Sequence, residues 1–201
     1  MSAEEEPKTV PTTWIIVAAL TLPAIILGIY WVAQQTTTDI QEYNGFFFEH
    51  VPCEVGDCWE TVVVSNVGEH SILFLHHPSE VEDILIERPA VERVLNLTRI
   101  ADSGLWISFE DGVPGEVGQA AANIARITGD RFYRIPTQAA LYGRDVTCAS
   151  GTDIRPVLFL TQEQTNRVYL NNNCIVVAAE SAQEIMRVAD AFSFHLLQIM
   201  R

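Results

Sequence analysis

Cysteine and histidine are the residue types in this chain whose spacing comes nearest to chemistry. Cys53 and Cys58 enclose four residues, His50 stands three positions before Cys53, and His76-His77 precede Pro78. Nitrogen and sulfur ligands of this kind hold zinc when two matched pairs recur at short spacing. Here the second matched pair is missing, and successive histidines on an extended chain point to opposite sides. His50, Cys53, Cys58, His76 and His77 are therefore weak metal candidates, and neither a metal nor another cofactor is expected. Thiol redox catalysis favours C-x-x-C at a helix N-terminus, where the thiol pKa falls. Two of the residues between Cys53 and Cys58 are acidic, Glu54 and Asp57, and acids raise it.

The sequence has four cysteines, and Cys148 and Cys174 complete the set. An even number in an oxidising compartment points to two disulfides. Of three connectivities, Cys53–Cys58 with Cys148–Cys174 is favoured, because the first pair is close in sequence and the second flanks one hairpin region. Four reduced thiols in a cytosolic domain are the alternative. Hydrolytic and phosphate-binding signatures are missing: there is no G-x-S-x-G, Walker loop or G-x-G-x-x-G, and Gly112, Gly115 and Gly118 have another spacing that reads as a turn. His195 lies among Phe192, Phe194, Leu196 and Leu197 and reads as packed or partner-facing. Glu80, Glu82 and Asp83, like Glu110 and Asp111, read as solvated helix starts and turns. Asn96-Leu97-Thr98 is the one N-x-S/T match, a weak glycosylation candidate if this part of the chain is extracytoplasmic.

The elements that would position these residues begin with a membrane segment. Trp14 to Val32 is free of charge and closed at both ends by aromatic rings, Trp14 and then Tyr30-Trp31. At 1.5 Å per residue such a helix spans roughly 28 Å, the thickness of a bilayer core. A cleaved signal peptide fits less well: the preceding acidic tail, residues 1–13, has three glutamates and one lysine, and Trp31 stands where a small residue is wanted. The positive-inside rule places Lys8 in the cytoplasm, because no further lysine or arginine occurs before Arg88. A short polar tether, 33–39, then leads to an extracytoplasmic domain over 40–201.

Charge sharpens this division. The 201 residues contain 26 Asp and Glu against 12 Lys and Arg, for a formal net charge of -14, and Lys8 is the only lysine. Such a field repels phosphate backbones, so nucleic acid is not an expected partner. With 48% apolar residues, the chain is no disordered acidic tail either. Scarce lysine with an acid excess also suits a salt-adapted prokaryote such as an archaeon.

Within 40–201 the class is α+β, with antiparallel strands covered by helices. Phe46-Phe47-Phe48, 61–65 and 71–75 read as strands, with the Cys53–Cys58 segment as a loop. A short strand at 84–87 and a helix from Pro89 to Asn96 follow. Next come a strand over 104–109 and a helix over 116–128, with Gly129 as its C-cap. The stretch 130–155 reads as irregular. Strands at 157–161, 167–170 and 174–177 are joined by short links and are expected to be antiparallel neighbours. Ser181 to Glu184 matches a capping box that opens the last helix. At an offset of 68, Ile107 falls on Ile175, Val117 on Ile185, Ala121 on Ala189 and Ile124 on Phe192. This frames an alternative of two pseudo-repeated β-α halves, 61–129 and 155–201.

Three functions compete. The leading one is a non-enzymatic, single-pass membrane protein of the cell envelope, held in the lipid bilayer by 14–32, that binds a protein partner or a second copy of itself. Phe194, Ile199 and Met200 fall off the main apolar stripe of the last helix and are its expected contact surface. The second is an enzyme or small-ligand receptor built from dispersed residues such as His50, His76, His77, Arg131 and Arg134. The third is a metal or thiol-redox module.

Overall fold

The computed structural model describes Pro23, Ile25, Leu27 and residues 39–54, 56–65, 68–110, 115–139 and 146–201. The chain divides into two units, Met1–Asp39 and Ile40–Arg201. The acidic tail, the tether up to Asp39, and the membrane segment Trp14–Val32 except Pro23, Ile25 and Leu27 lie outside the described residues. Those three are helical and exposed. Among the described residues, no helix is long and apolar enough to cross a membrane. The second unit is α+β, and its described residues form two sheets and three α-helices.

The first sheet is an antiparallel meander of β1 (Ile40–Tyr43), β2 (Phe46–Cys53), β3 (Gly56–Ser65) and β4 (Gly68–Phe74). β1 is an addition to the expected strands. It folds back on β2 through Asn44 and Gly45, both left-handed at φ 50° and 85°. A two-residue turn with positive φ at both positions matches the twist of its strands, and Asn-Gly is its usual sequence. The Cys53–Cys58 segment is not a free loop but the tip of a hairpin, with Cys53 opposite Gly56 and Val51 opposite Cys58. Side chains alternate across the sheet: Phe48, Trp59, Val63, Ile72 and Phe74 are buried, while Phe47, Val62, Val64 and Leu73 are exposed.

The second sheet has six strands in the order β5-β9-β10-β8-β6-β7. They are β5 (Leu85–Ile86), β6 (Leu105–Phe109), β7 (Thr137–Ala139), β8 (Val157–Gln162), β9 (Arg167–Asn171) and β10 (Cys174–Ala179). The last three strands are not all antiparallel neighbours. β9 and β10 form a hairpin, but β10 slots between β9 and β8 and runs parallel to β8. The four-residue link from β8 to β9 can span about 13 Å, more than the roughly 9.5 Å across two strand spacings, so it leaves room for a strand between. β10 is buried along its whole length, as its unbroken Cys-Ile-Val-Val-Ala-Ala sequence requires of a central strand.

The helices are α1 (Arg88–Leu97), α2 (Gly115–Arg126) and α3 (Ala182–Leu196). Pro89 sits in the first turn of α1. Gly129 is not a left-handed cap: its φ is -78°, and the chain passes through an irregular wider turn at Ile127–Arg131. The Ser181 hydroxyl caps α3 by accepting from the Glu184 amide at 3.2 Å. The Glu184 carboxylate completes no box and takes Arg187 and Asn166 instead. The offset of 68 aligns two strand–helix units of the second sheet, β6 with α2 and β10 with α3. Their leading strands part company, since β4 belongs to the first sheet and β8 to the second.

The core joins the inner faces of both sheets through α3. Ile175, Val177, Leu158 and Ile107 of the second sheet share one apolar cluster with α3 and with Phe48 and Phe74 of the first. Phe194 packs its ring against Phe74, tilted at 4.3 Å, and edge-on against Phe48 at 5.9 Å. Phe194, Ile199 and Met200 are thus covered by the chain itself, and the expected contact surface on the last helix is interior. The helix stops in a Schellman turn, with Ile199 N–H donating to Phe194 O at 2.9 Å and Gln198 N–H to His195 O at 3.2 Å. Gln198 takes the left-handed position, φ 60°, which glycine fills at least cost. Because Gln198 is exposed, Gln198→Gly is expected to raise stability by about 1 kcal/mol, read as a higher urea midpoint with unchanged slope. An unchanged or lower midpoint contradicts this account of the cap.

Candidate functional site

An aspartate on the buried helix organises the histidines. Asp190 is 1% exposed, and its Oδ2 accepts from the Leu75 and His76 amides, each at 3.1 Å, and pairs with His76 Nδ1 at 2.9 Å. These contacts tie the end of β4 to the middle of α3. Burial pushes the Asp190 carboxyl above its ordinary value, against the opposing pull of His76 and the two amides. The sequence carries a faint signal for this group, an acid set between Ala189 and Ala191 on a helix otherwise rich in apolar residues.

A carboxylate on Nδ1 fixes the tautomer of a histidine and frees Nε2 as a base. Among the described residues the arrangement lacks a nucleophile to activate. All four cysteines are paired, and among the described residues no hydroxyl is hydrogen-bonded to the His76 ring. Its contacts make the pair a latch between layers.

His77 serves a different purpose. Its Nδ1 meets Ser79 Oγ at 2.8 Å, and its amide donates to Glu80 Oε2 at 3.2 Å, capping the short turn Pro78–Glu80. Its ring lies against Trp59 at 4.8 Å and Phe48 at 5.1 Å, and His50 also lies against Trp59, at 5.0 Å. Cys53 and Cys58 stand at disulfide distance, with Cα atoms 5.8 Å apart, and so do Cys148 and Cys174, at 5.0 Å. Each of the five metal candidates is thus engaged separately, and among the described residues no group of three ligating side chains could hold an ion.

The dispersed residues do not converge either. A cleft of about 870 Å³ is lined by Tyr43, Glu82, Ile84, His195 and Met200. There the Tyr43 hydroxyl donates to Glu82 at 2.8 Å; burial, reinforced by that carboxylate, raises the Tyr43 pKa to about 12. Burial likewise lowers the pKa of His195. A second cleft, about 850 Å³, contains Arg134 beside Leu97, Phe132 and Tyr133. His50, His76 and His77 line neither. The Arg131 side chain lies outside the described part of the chain. Asn96 and Thr98 are exposed at the end of α1, with the Thr98 hydroxyl donating to Leu95 O at 2.7 Å.

The remaining surface feature is the outer face of the first sheet. Phe47 is 64% exposed, Val62 54% and Val64 73%, beside Ile40 and Leu73. Glu42, Glu49, Glu60 and Glu69 share that face by strand alternation. A hollow of about 760 Å³ opens between Phe46, Phe47 and Val62–Val64, with Leu197 among its lining. Phe46-Phe47-Phe48 and the Thr-Val-Val-Val run reveal strands in the sequence but not which face stays bare.

The chain matches no protein-family model, no curated protein sequence and no solved structure.

The pH dependence of the latch follows from its burial. A carboxyl whose pKa is raised on folding lends stability that is full at low pH and lost as pH climbs above 3.8, its ordinary value. The carboxamide introduced by Asp190→Asn cannot titrate. The stability of that variant relative to wild type is therefore expected to improve steadily as pH rises from that value, measured by urea unfolding at several pH values. A difference that is flat or runs the other way overturns this account.

Proposed function

We propose that residues 40–201 are a protein-docking domain without catalysis of its own, carried on the outer side of a membrane by the segment 14–32. The outer face of the first sheet carries this reading. Half-exposed or barer Phe47, Val62 and Val64 occupy adjacent strands of one sheet, where an antiparallel sheet facing only water would alternate to polar residues. Exposed apolar side chains gathered on one face in this way mark binding faces on soluble domains. Membrane placement draws on Trp14–Val32, the lone Lys8 and the two cysteine pairs at disulfide distance.

The catalytic alternative has less support. His76 is oriented but, among the described residues, has no hydroxyl or thiol to act on, and the Tyr43 hydroxyl in the larger cleft is already committed to Glu82.

Two measurements test the proposal. A photo-crosslinking residue at Val62 of the full chain in its native membranes is expected to give a discrete heavier adduct, while the same residue at exposed Glu92 on α1 gives none. Equal patterns from both positions, or no adduct at Val62, overturn docking at this face. Protease added to intact spheroplasts is expected to remove 40–201; full protection overturns the orientation.

A further inference from the structure

The first sheet is split along part of its length. The ladder between β2 and β3 runs from Cys53 opposite Gly56 to Phe48 opposite Thr61 and stops there. Beyond that point β2 continues with β1 alone, through Phe46 opposite Tyr43. β3 continues with β4 alone, through Val62, Val63 and Val64. Among the described residues, no strand pairing joins Phe46-Phe47 to Val62–Val64. The hollow already described occupies this wedge.

Strand edges with unpaired N–H and C=O groups accept another strand, and proteins that must stay alone blunt them with lysine, proline or bulges. The Val62–Val64 edge has none of these devices. It is a run of β-branched residues with high strand propensity. Charge narrows the occupant. Glu49 and Glu60 line the hollow, and among the described residues neither lysine nor arginine does. A second copy would bring the same acids to the same face, on a chain of formal charge -14, and an anionic bilayer would be repelled likewise. A cationic strand is not repelled.

Resting on the docking reading above, we propose that this split receives an extended segment of a partner protein, which adds a strand beside Val62–Val64. Its apolar side chains enter the hollow on the inner face, toward Phe46, Val63 and Leu197, and its alternate arginine or lysine side chains lie on the outer face toward Glu49 and Glu60. Backbone pairing supplies affinity in such strand addition, and alternate side chains supply specificity.

The test uses the full chain in detergent micelles and a synthetic peptide, acetyl-Val-Arg-Val-Arg-Val-Arg-Val-amide. Binding is expected to slow hydrogen exchange at the amides of Val62–Val64. A peptide of the same sequence, N-methylated at alternate positions, keeps its charge and side chains but loses backbone donors. It is expected to bind about tenfold or more weakly. The joint variant Glu49→Gln and Glu60→Gln is expected to weaken binding by about tenfold with an unchanged thermal midpoint, whereas Glu92→Gln changes nothing. Equal affinity for the N-methylated peptide, protection elsewhere on the chain, or preferred binding to phosphatidylglycerol vesicles overturns the proposal, as does concentration-dependent self-association lost on Val62→Asp. If crosslinking at Val62 succeeds while the peptide fails, docking stands and strand addition falls.

Discussion

α3 is buried on two sides at once, and the rest of the domain is arranged around that condition. Toward the second sheet it presents the stripe that any amphipathic helix presents to a sheet, with Ile185, Val188, Ala189 and Phe192 sunk in the core. Its opposite side would ordinarily meet water, yet Phe194 points into a ring cluster with Phe48 and Phe74. Burying one phenylalanine contributes about 1.5–3 kcal/mol, so this second contact helps attach the first sheet. The first sheet therefore belongs to the same core as the second, even though the two share no strand.

Asp190 adds direction to that apolar contact. Hydrophobic packing alone permits sliding, but one carboxylate oxygen that accepts from two successive amides and an imidazole fixes the end of β4 against one turn of α3. Burying a carboxylate is costly unless donors surround it; the Leu75–His76 corner supplies them to Oδ2, while Oδ1 is buried without a hydrogen-bond partner among the described residues. The cysteine pairs do something more local: Cys53–Cys58 closes a hairpin tip, and Cys148–Cys174 ties a loop to the start of β10. Neither crosses between the sheets. The two layers are held by packing, by this latch and by the Asn44 side-chain amide donating to Ile199 O at 2.9 Å.

Local features were legible in the sequence, and pairings over long distances were not. Ser181 marks the start of α3, Pro89 the first turn of α1, and the Val157 and Cys174 runs are strands, because capping, φ restriction and β propensity act within a few residues. The link after β8 suits a hairpin or a skipped position equally, so the parallel pairing of β8 with β10 left no mark on its length. Asn44-Gly45 did carry a turn signal that reveals β1. Phe194, Ile199 and Met200 are surplus to one stripe, and the sequence shows the surplus but not that the cover comes from β2 and β4. For the site, the histidines stand out as residues, whereas Asp190, which orients His76, leaves only a faint mark in the sequence, and its role shows once α3 is placed in the core.

Order in time adds a consequence. Leu75 and the aspartate that holds it are 115 residues apart. A chain emerging N-terminus first completes all four strands of the first sheet long before α3 exists. During that interval Phe48, Trp59 and Phe74 have no cover on one face, while Phe47, Val62 and Val64 are bare on the other. The young sheet is then open on both sides, and the arrival of the last helix covers one of them. The inner face of the first sheet thus stays open until the segment that forms α3 has been made.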